Sequence, residues 1–277
     1  LLELIDGADV FLSNWRPVVA DRLGIGDAVL EGRNPDLVRC WISGWGPSGP
    51  SSDLPAFDGV VQGHGAMSDA ASRNGSLEVL PGYPIDKATA MFAVQAIVAA
   101  LFARARGAGG DRIDVAMLDA TAYYAFPDLF TSRVFVDDEP DDAHSVTATA
   151  IRTLPARDGA IVVAAVSGSQ IKAACAALGH PEWVELILDR ATGGARTMFD
   201  LFCSVTACES VEHWLQAFDA HDVPAAACLS IDEHLADQVR RIARDIGAPP
   251  PDRGSLLPVL AQRVMPALAP AMPAVGG

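Results

Sequence analysis

Short apolar runs alternate with stretches of helical periodicity through the first half of the chain. Val, Ile, Trp and Phe are concentrated in the short runs, and turn residues flank them, which is typical of buried strands. Strands are predicted at residues 8–13, 37–43 and 112–117. Helices are predicted between them, the longest from Asp86 to Arg106. This alternation predicts an α/β fold built on a parallel, Rossmann-like sheet, because parallel strands need helical crossovers.

The pattern changes after an acidic, Pro-containing run at residues 136–142. Residues 1–135 are predicted to form a large α/β domain, and 136–145 a linker. Residues 146–230 are predicted to form a smaller α+β domain, with strands at 147–153, 160–166 and 224–229 and helices at 169–178 and 211–220. A C-terminal helix and a Pro-rich extended return arm are predicted over 231–277.

Composition excludes several partner classes. The net charge is −15 and the pI about 4.6, which argues against nucleic acid because phosphate backbones bind basic surfaces. The longest apolar stretch, Ala88–Ala103, contains a Gln and has charge at both ends. It falls short of the roughly 18 apolar residues of a membrane span. We therefore expect a buried helix there and no membrane partner.

The five cysteines are scattered and no CxxC pair occurs, so neither a metal site nor a disulfide framework is expected. Reduced cysteines suit a cytoplasmic protein. The chain contains neither GxGxxG nor GxxxxGK[ST], which leaves a nucleotide phosphate loop unsupported.

Asp86 stands at the start of the longest predicted helix, directly after Pro84-Ile85. We expect it at the N-cap, where a carboxylate contributes about 0.5–2 kcal/mol to helix stability. The same place would let the helix dipole hold the carboxylate ionised, ready to act as a nucleophile. Lys87 could lower the pKa of Asp86 further, or point to water. The residues alone leave these readings open.

Short motifs are spread along the chain and together cover nearly the whole of it. They are Ala8–Val10 with Asn14–Pro17, Asp21–Gly24, Asn34–Val38, Ile42–Pro50, Ala56–Asp58 with Gln62, Pro84–Asp86 with Ala96–Leu101 and Arg104, Asp114–Ala120, Asp158–Gly159 and Val223–Ala225. In this order they resemble the motifs of the family III coenzyme A (CoA) transferases, which include formyl-CoA and carnitine CoA transferases and the α-methylacyl-CoA racemases.

The resemblance implies a reaction. Asp86 would attack an acyl-CoA thioester to give a mixed anhydride, and the released thiolate would return to give an aspartyl-CoA thioester. A small carboxylic acid would then accept the transferred group. The resemblance implies no cofactor beyond the CoA thioester substrate, and it implies an interlocked homodimer.

The resemblance also implies a set of CoA-binding residues. Arg16 is a plausible phosphate partner because a guanidinium binds phosphate bidentately. Without the family, a solvated surface role for the arginines and a core role for the methionine are the alternatives. The implied set is Asn14, Trp15, Arg16, Arg22, Ala56, Phe57 and Met117.

A racemase is the first alternative. The racemase His would precede Asp58, where this chain has Phe57, and the supporting Glu would fall near Gly168. Without that His one face of the stereocentre lacks a general base, which favours transferase over racemase. His64 is the nearest replacement, and a packed or solvated histidine is the alternative for it.

Two further alternatives belong to other classes. Family members begin with additional βα units that this sequence lacks, so an inactive homologue, or half of a fused chain that acts as a scaffold, is possible. A serine hydrolase has little support because Ile42-Ser43-Gly44 lacks the first Gly of a nucleophile elbow. The acyl donor and the acceptor acid stay open.

Overall fold

The computed structural model describes residues 1–71, 76–129, 152–189 and 194–246. The chain divides into two compact units, residues 1–145 and 146–277, called here the large unit and the small unit. The predicted linker and the predicted return arm beyond residue 246 lie outside the described residues.

The large unit contains a parallel sheet of three strands, β1 (Val10–Ser13), β2 (Val38–Ser43) and β3 (Asp111–Ala116), in that order. All three strands are parallel: Ser13 lies opposite Trp41, and Ser43 opposite Ala116. β2 is buried over its first four residues because a strand inside a parallel sheet is covered on both faces. The predicted α/β class is confirmed.

Seven helices of the large unit lie in the described residues. Pro17 begins the second of them, as expected for a residue whose missing N–H costs nothing in a first turn. The helices are α1 (Leu2–Ile5), α2 (Pro17–Arg22), α3 (Asp27–Arg33), α4 (Asp58–His64), α5 (Met67–Ala70), α6 (Pro84–Ala105) and α7 (Met117–Leu129).

α6 spans the sheet from one edge to the other. At its C-terminal end, the Arg104 guanidinium donates to the backbone oxygens of Asp36 (3.0 Å) and Asp9 (3.3 Å), which precede β2 and β1. The same side chain forms an ion pair with the Asp9 carboxylate. The helix therefore ends at the amino edge of the sheet and begins at the carboxyl edge, where ligands bind in open α/β folds.

The prediction that α6 is a buried helix is wrong. One narrow face is buried (Ile85, Ala88, Thr89, Ala93 and Ala100). Large apolar side chains on the opposite face are exposed, namely Met91, Val94, Val98 and Phe102. By length and composition α6 could cross a membrane, and 22% of its most apolar window is buried. An all-apolar helix has no periodicity from which its buried side can be read.

Charged side chains occupy one face of the sheet beside α3. The Arg39 guanidinium, in the middle strand and 5% exposed, pairs with Asp27 at 3.0 Å. Arg112 of β3 pairs with the other Asp27 oxygen at 3.3 Å and with Asp114 at 2.8 Å. The Trp41 indole N–H also donates to Asp27 at 3.0 Å. We call Asp27, Arg39, Trp41, Arg112 and Asp114 the sheet network.

The small unit has an antiparallel sheet of β4 (Thr153–Ala156), β5 (Gly159–Val163) and β6 (Ala225–Ala227). Its first strand lies mostly after the predicted 147–153, of which residues 147–151 are outside the described part. The core is built around Phe202, Trp214 and Phe218. The helices are α8 (Gly168–Ala177), α9 (Trp183–Leu188), α10 (Ala195–Thr206), α11 (Val211–Asp219) and α12 (Ile231–Ile246). Of these, α9 and α10 were not predicted.

Candidate active site

Asp86 lies in the first turn of α6 as its third residue, and its side chain is exposed. The prediction of an N-cap position is wrong, because the helix begins two residues earlier, at Pro84. Tyr83 is the N-cap residue and makes no side-chain capping hydrogen bond. Pro84 takes the first helical position for the same reason as Pro17 in α2. The carboxylate therefore projects from a formed helical turn at the carboxyl edge of the sheet.

Asp58 supplies the cap that Tyr83 does not. One of its carboxylate oxygens accepts hydrogen bonds from the backbone N–H groups of Ile85 (2.8 Å) and Asp86 (2.9 Å). Asp58 is the first residue of α4 and is 3% exposed. A carboxylate from another helix thus satisfies two of the free donors at the start of α6.

Gln62, one turn later in α4 and fully buried, completes this arrangement. Its amide nitrogen donates to the second oxygen of Asp58 at 2.5 Å. Its amide oxygen accepts from the backbone N–H of Leu80 at 2.9 Å, and its nitrogen also donates to the Leu80 carbonyl at 3.3 Å. Asp58 and Gln62, called here the buried pair, therefore hold the loop before α6 as well as the start of the helix.

Asp58 and Gln62 belong to a motif of the resemblance that implies no role for either residue. Their spacing of four residues places them on one face of a helix, and a buried Asp with a buried Gln needs polar partners. These signals identify a polar cluster, but they do not identify Ile85, Asp86 and Leu80 as its partners.

The electrostatics of Asp86 differ from the expectation that a helix dipole would favour its ionised form. Partial burial raises the pKa of the Asp86 carboxyl above its ordinary value, and the negative charge of Asp58 raises it further. The helix N–H groups that would have favoured ionisation are bonded to Asp58 instead. Lys87, which follows in the sequence, does not bring the pKa of Asp86 down.

Two of the predicted CoA-binding residues share an apolar cluster with the helix that carries Asp86. Met117 is buried with Val61 and Ile85, and Ala56 packs against them. Gly44 lies so close to Ala56 that a side chain at position 44 would overlap it. The loop after β2 and the start of α4 are therefore held together at the carboxyl edge.

Phe57 precedes Asp58 as the N-cap residue of α4, and its side chain is 78% exposed. A large apolar ring next to the capping carboxylate of α6 is available to a ligand rather than to the core.

Asn14, Trp15 and Arg16 follow β1, at the same carboxyl edge as Gly44 and Met117. All three are exposed, and the Arg16 guanidinium donates to the backbone carbonyl of Asp53 at 2.6 Å. That bond ties the loop after β1 to the loop leading to Ala56. The structure thus places seven of the eight predicted site residues, Asp86 included, along one edge; Arg22 is the eighth.

Arg22 is separate from this group. It is the last residue of α2, which begins at Pro17, next to Arg16. Six helical residues span about 9 Å. Its side chain is exposed, and its predicted CoA contact stays a prediction.

Other candidates from the sequence have structural partners. His64 packs edge-to-face against Trp45, with ring centroids 5.2 Å apart. The Ser43 hydroxyl accepts from the N–H of Gly46 at 3.1 Å. Ser167 forms a capping box with Gln170 at the start of α8. Within the residues that the structure describes, no His, Cys, Asp and Glu cluster has the arrangement of a metal site.

Comparison with known proteins points to one family. The chain is 27% identical over 83% of its length to the probable fatty acyl-CoA transferase Rv3272 of Mycobacterium tuberculosis, of which it covers 62%. It is 29% identical over 84% of its length to the acetyl-CoA:oxalate CoA-transferase of Acetobacter aceti, covering 61%. It is 28% identical over 92% of its length to the succinate–glutarate CoA-transferase of Agrobacterium fabrum, covering 65%. The chain thus spans a little over three-fifths of these relatives.

Solved structures agree with the sequence relatives. The Rv3272 protein of Mycobacterium tuberculosis superposes with a TM-score of 0.69 at 25% identity, over 84% of this chain and 64% of that one. A CAIB/BAIF family protein from Brucella suis gives 0.66 at 25% identity, over 85% and 64%. The sequence model described as CoA-transferase family III matches residues 1–271. The chain therefore belongs to CoA-transferase family III.

Proposed function

We propose that the protein transfers CoA between an acyl-CoA and a carboxylic acid, with Asp86 as the nucleophile. The observation that carries the proposal is the exposed Asp86 carboxylate in the first turn of α6, with its backbone bonded to Asp58. Family membership supports the reaction class. The relatives' names supply the substrate chemistry: a fatty acyl-CoA, an acetyl-CoA with oxalate, and a succinate–glutarate pair.

The reaction balances in four steps. An Asp86 oxygen attacks the thioester carbonyl and the C–S bond breaks, giving a mixed anhydride and CoA thiolate. The thiolate attacks the Asp86 carbonyl of the anhydride and releases the donor acid. The acceptor carboxylate attacks the resulting aspartyl-CoA thioester, whose C–S bond breaks, and a second anhydride forms as CoA thiolate leaves. The thiolate then attacks the acceptor carbonyl, which yields the new acyl-CoA and regenerates Asp86.

The raised pKa of Asp86 suits this role. A carboxylate is a weak nucleophile, and a more basic carboxylate is a better one wherever the pH keeps it ionised. Partial burial, with a smaller contribution from the charge of Asp58, therefore favours nucleophilicity and moves the acid limit of activity upward. Phe57 is the exposed N-cap residue of α4, directly before Asp58, and offers an apolar surface to the acyl or pantetheine chain.

The predicted CoA contacts fit the same edge. Arg16 keeps guanidinium N–H groups beyond the one bonded to Asp53, and these can meet a phosphate of CoA. In a chain of net charge −15 such local cations are the means of binding an anionic ligand. A cytoplasmic location, a homodimer and the lack of any cofactor other than the CoA thioester belong to the same proposal.

The test is mass spectrometry of the protein after incubation with acetyl-CoA or succinyl-CoA and hydroxylamine, which converts an aspartyl anhydride or thioester to a hydroxamate. We expect the hydroxamate on the peptide containing Asp86 and not in the Asp86→Asn variant. The inactive scaffold would be favoured by two results together: the folded wild-type chain forms no adduct, and neither acyl-CoA changes its melting temperature. An adduct on another residue would refute the role of Asp86.

A further inference from the structure

The buried pair cannot touch a substrate, because Asp58 is 3% exposed and Gln62 is fully buried. Any effect on the chemistry must pass through the groups that the pair contacts. These are the N–H groups of Ile85 and Asp86 at the start of α6, and the N–H and carbonyl groups of Leu80 in the loop before it.

The donor and acceptor roles in the buried pair are fixed in one arrangement. Asp58 accepts from three N–H donors, two of the backbone and one of the Gln62 amide. The Gln62 amide can make this bond only with its nitrogen toward Asp58, which turns its oxygen toward the Leu80 N–H. The orientation of one side chain therefore fixes the other, and the two together fix both ends of the turn that delivers Asp86.

We propose that Asp58 and Gln62 are positioning residues for Asp86, and that acylation of Asp86 requires their hydrogen-bond pattern rather than a negative charge at position 58. The proposal rests on the proposed function, since it assigns the pair a part in the reaction of Asp86. It extends to Gln62, a neutral buried residue whose amide orients the capping carboxylate.

Single substitutions break the pattern in defined ways. In Asp58→Asn the new amide can still accept from Ile85 and Asp86, but its nitrogen then faces the Gln62 nitrogen, donor against donor. A flip of Gln62 moves the mismatch to the Leu80 N–H. In Gln62→Glu an ionised oxygen faces an oxygen of Asp58, acceptor against acceptor, at every pH at which the two carboxylates do not share a proton. Each leaves one buried group without a partner.

The double variant Asp58→Asn/Gln62→Glu restores the pattern. The new amide nitrogen at 58 donates to the new carboxylate at 62, whose second oxygen accepts from the Leu80 N–H. The 3.3 Å bond to the Leu80 carbonyl is lost. The negative charge moves from the residue bonded to Asp86 to the residue beyond it. The double variant thus separates hydrogen bonding from charge.

The measurement is the initial rate of hydroxamate formation on Asp86, with acetyl-CoA and hydroxylamine, as a function of pH. Misplacement of a reacting group lowers rates by about 10²-fold, and we expect a loss of about that size in each single variant. We expect the double variant to recover to within about tenfold of the parent, because interacting sites are not additive. Its acid limb should lie at lower pH, since the negative charge, now at position 62, is farther from Asp86.

Matched controls carry the same chemical changes at exposed positions. Asp69→Asn in α5 and Gln95→Glu in α6 should keep the parental rate and pH profile. Lys87 and Tyr83 are the other titratable groups at the start of α6, and all the variants retain them. Far-ultraviolet circular dichroism verifies that each variant is folded.

Two results overturn the proposal: single variants at the parental rate, or a folded double variant as impaired as the singles. Amide hydrogen exchange at Leu80, Ile85 and Asp86 decides independently of catalysis. We expect faster exchange in each single variant and parental exchange in the double one. Unchanged exchange in the single variants would refute the role of the buried pair in holding the start of α6. If the parent forms no hydroxamate with acetyl-CoA or succinyl-CoA and neither changes its melting temperature, the proposed function fails. Hydrogen exchange still decides whether the buried pair holds the start of α6.

Discussion

The large unit contains two carboxylates with opposite surroundings, half-buried Asp27 and buried Asp58. Asp27 of the sheet network faces Arg39, Arg112 and the Trp41 indole. Burial alone would raise its pKa, but the hydrogen bonds from Trp41 and Arg39 and the two positive charges lower it below the ordinary value. Asp58 of the buried pair accepts only from N–H groups without charge, and its field raises the pKa of Asp86.

The difference between the partners of Asp27 and those of Asp58 determines the electrostatic effect of each carboxylate on its neighbours. A carboxylate neutralised by two guanidinium groups leaves no field for a reacting group and serves to join α3 to two strands. Asp58 is bonded to amide groups alone, and its charge adds to the effect of burial in raising the pKa of Asp86. Within one unit, the partner type therefore decides whether a carboxylate is neutralised by guanidinium groups or also shifts the pKa of a neighbouring acid.

The largest expected effect is on the reaction. We expect Asp86→Asn to lower the rate of CoA transfer by at least about 10³-fold, because the nucleophile is removed and only binding remains. The assay follows acyl exchange between acetyl-CoA and oxalate, or between succinyl-CoA and glutarate, by chromatography. Residual transfer within tenfold of the parent would contradict the covalent role of Asp86.

Breaking the sheet network should act on stability. We expect Arg39→Met to lower the free energy of unfolding by about 2 kcal/mol, because half-buried Asp27 loses the charge-assisted hydrogen bond of its least exposed partner and keeps only Arg112 and Trp41. Denaturant unfolding followed by circular dichroism measures this. The folded variant should form the Asp86 hydroxamate at the parental rate, and a slower rate would show that the two regions are coupled.

Asp27 and Asp86 should make opposite contributions to the pH dependence of the free energy of unfolding. The lowered pKa of Asp27 contributes stability that is present above the unfolded pKa of about 3.9 and lost as the pH falls toward its lower folded value. The raised pKa of Asp86 costs stability at neutral pH, and this cost disappears as the pH falls below about 3.9.

Melting curves from pH 3 to pH 8 distinguish the contribution of Asp27 to stability from that of Asp86. We expect Asp27→Asn to destabilise most at neutral pH, and Asp86→Asn to stabilise there by less than about 1 kcal/mol, since an exposed carboxylate is screened. Equal shifts at all pH values would remove the electrostatic distinction between them.

The smallest effect is expected at Lys87. Its side chain is exposed, and the pKa of Asp86 is raised by burial and by Asp58 although Lys87 is the next residue. We expect Lys87→Met to change the rate of Asp86 acylation by no more than about twofold, as is usual for exposed charges. A larger decrease confined to the step that consumes the acceptor acid would indicate that Lys87 contacts that acid.

The sequence predicted the strands and helices that carry the site because their signals are local. Pro17 and the Val-rich runs mark α2 and the sheet, and the structure has both. The contact of Asp58 with Ile85 joins residues 27 positions apart, and no periodicity reports such a contact. α10 was missed because Thr, Phe, Cys and Val are weak helix formers, and packing around Phe202 overrides their preference.

The double acceptance by one oxygen of Asp58 also limits how Asp86 can move. Two consecutive amide groups held by a buried carboxylate leave the backbone of this residue no hinge. During the proposed reaction the bound group must therefore change position by rotation about the two side-chain torsions of Asp86. Such rotations need no loop movement, which would take nanoseconds to microseconds. The proposed intermediate would then reorient about two side-chain torsions while the backbone at the start of α6 stays in place.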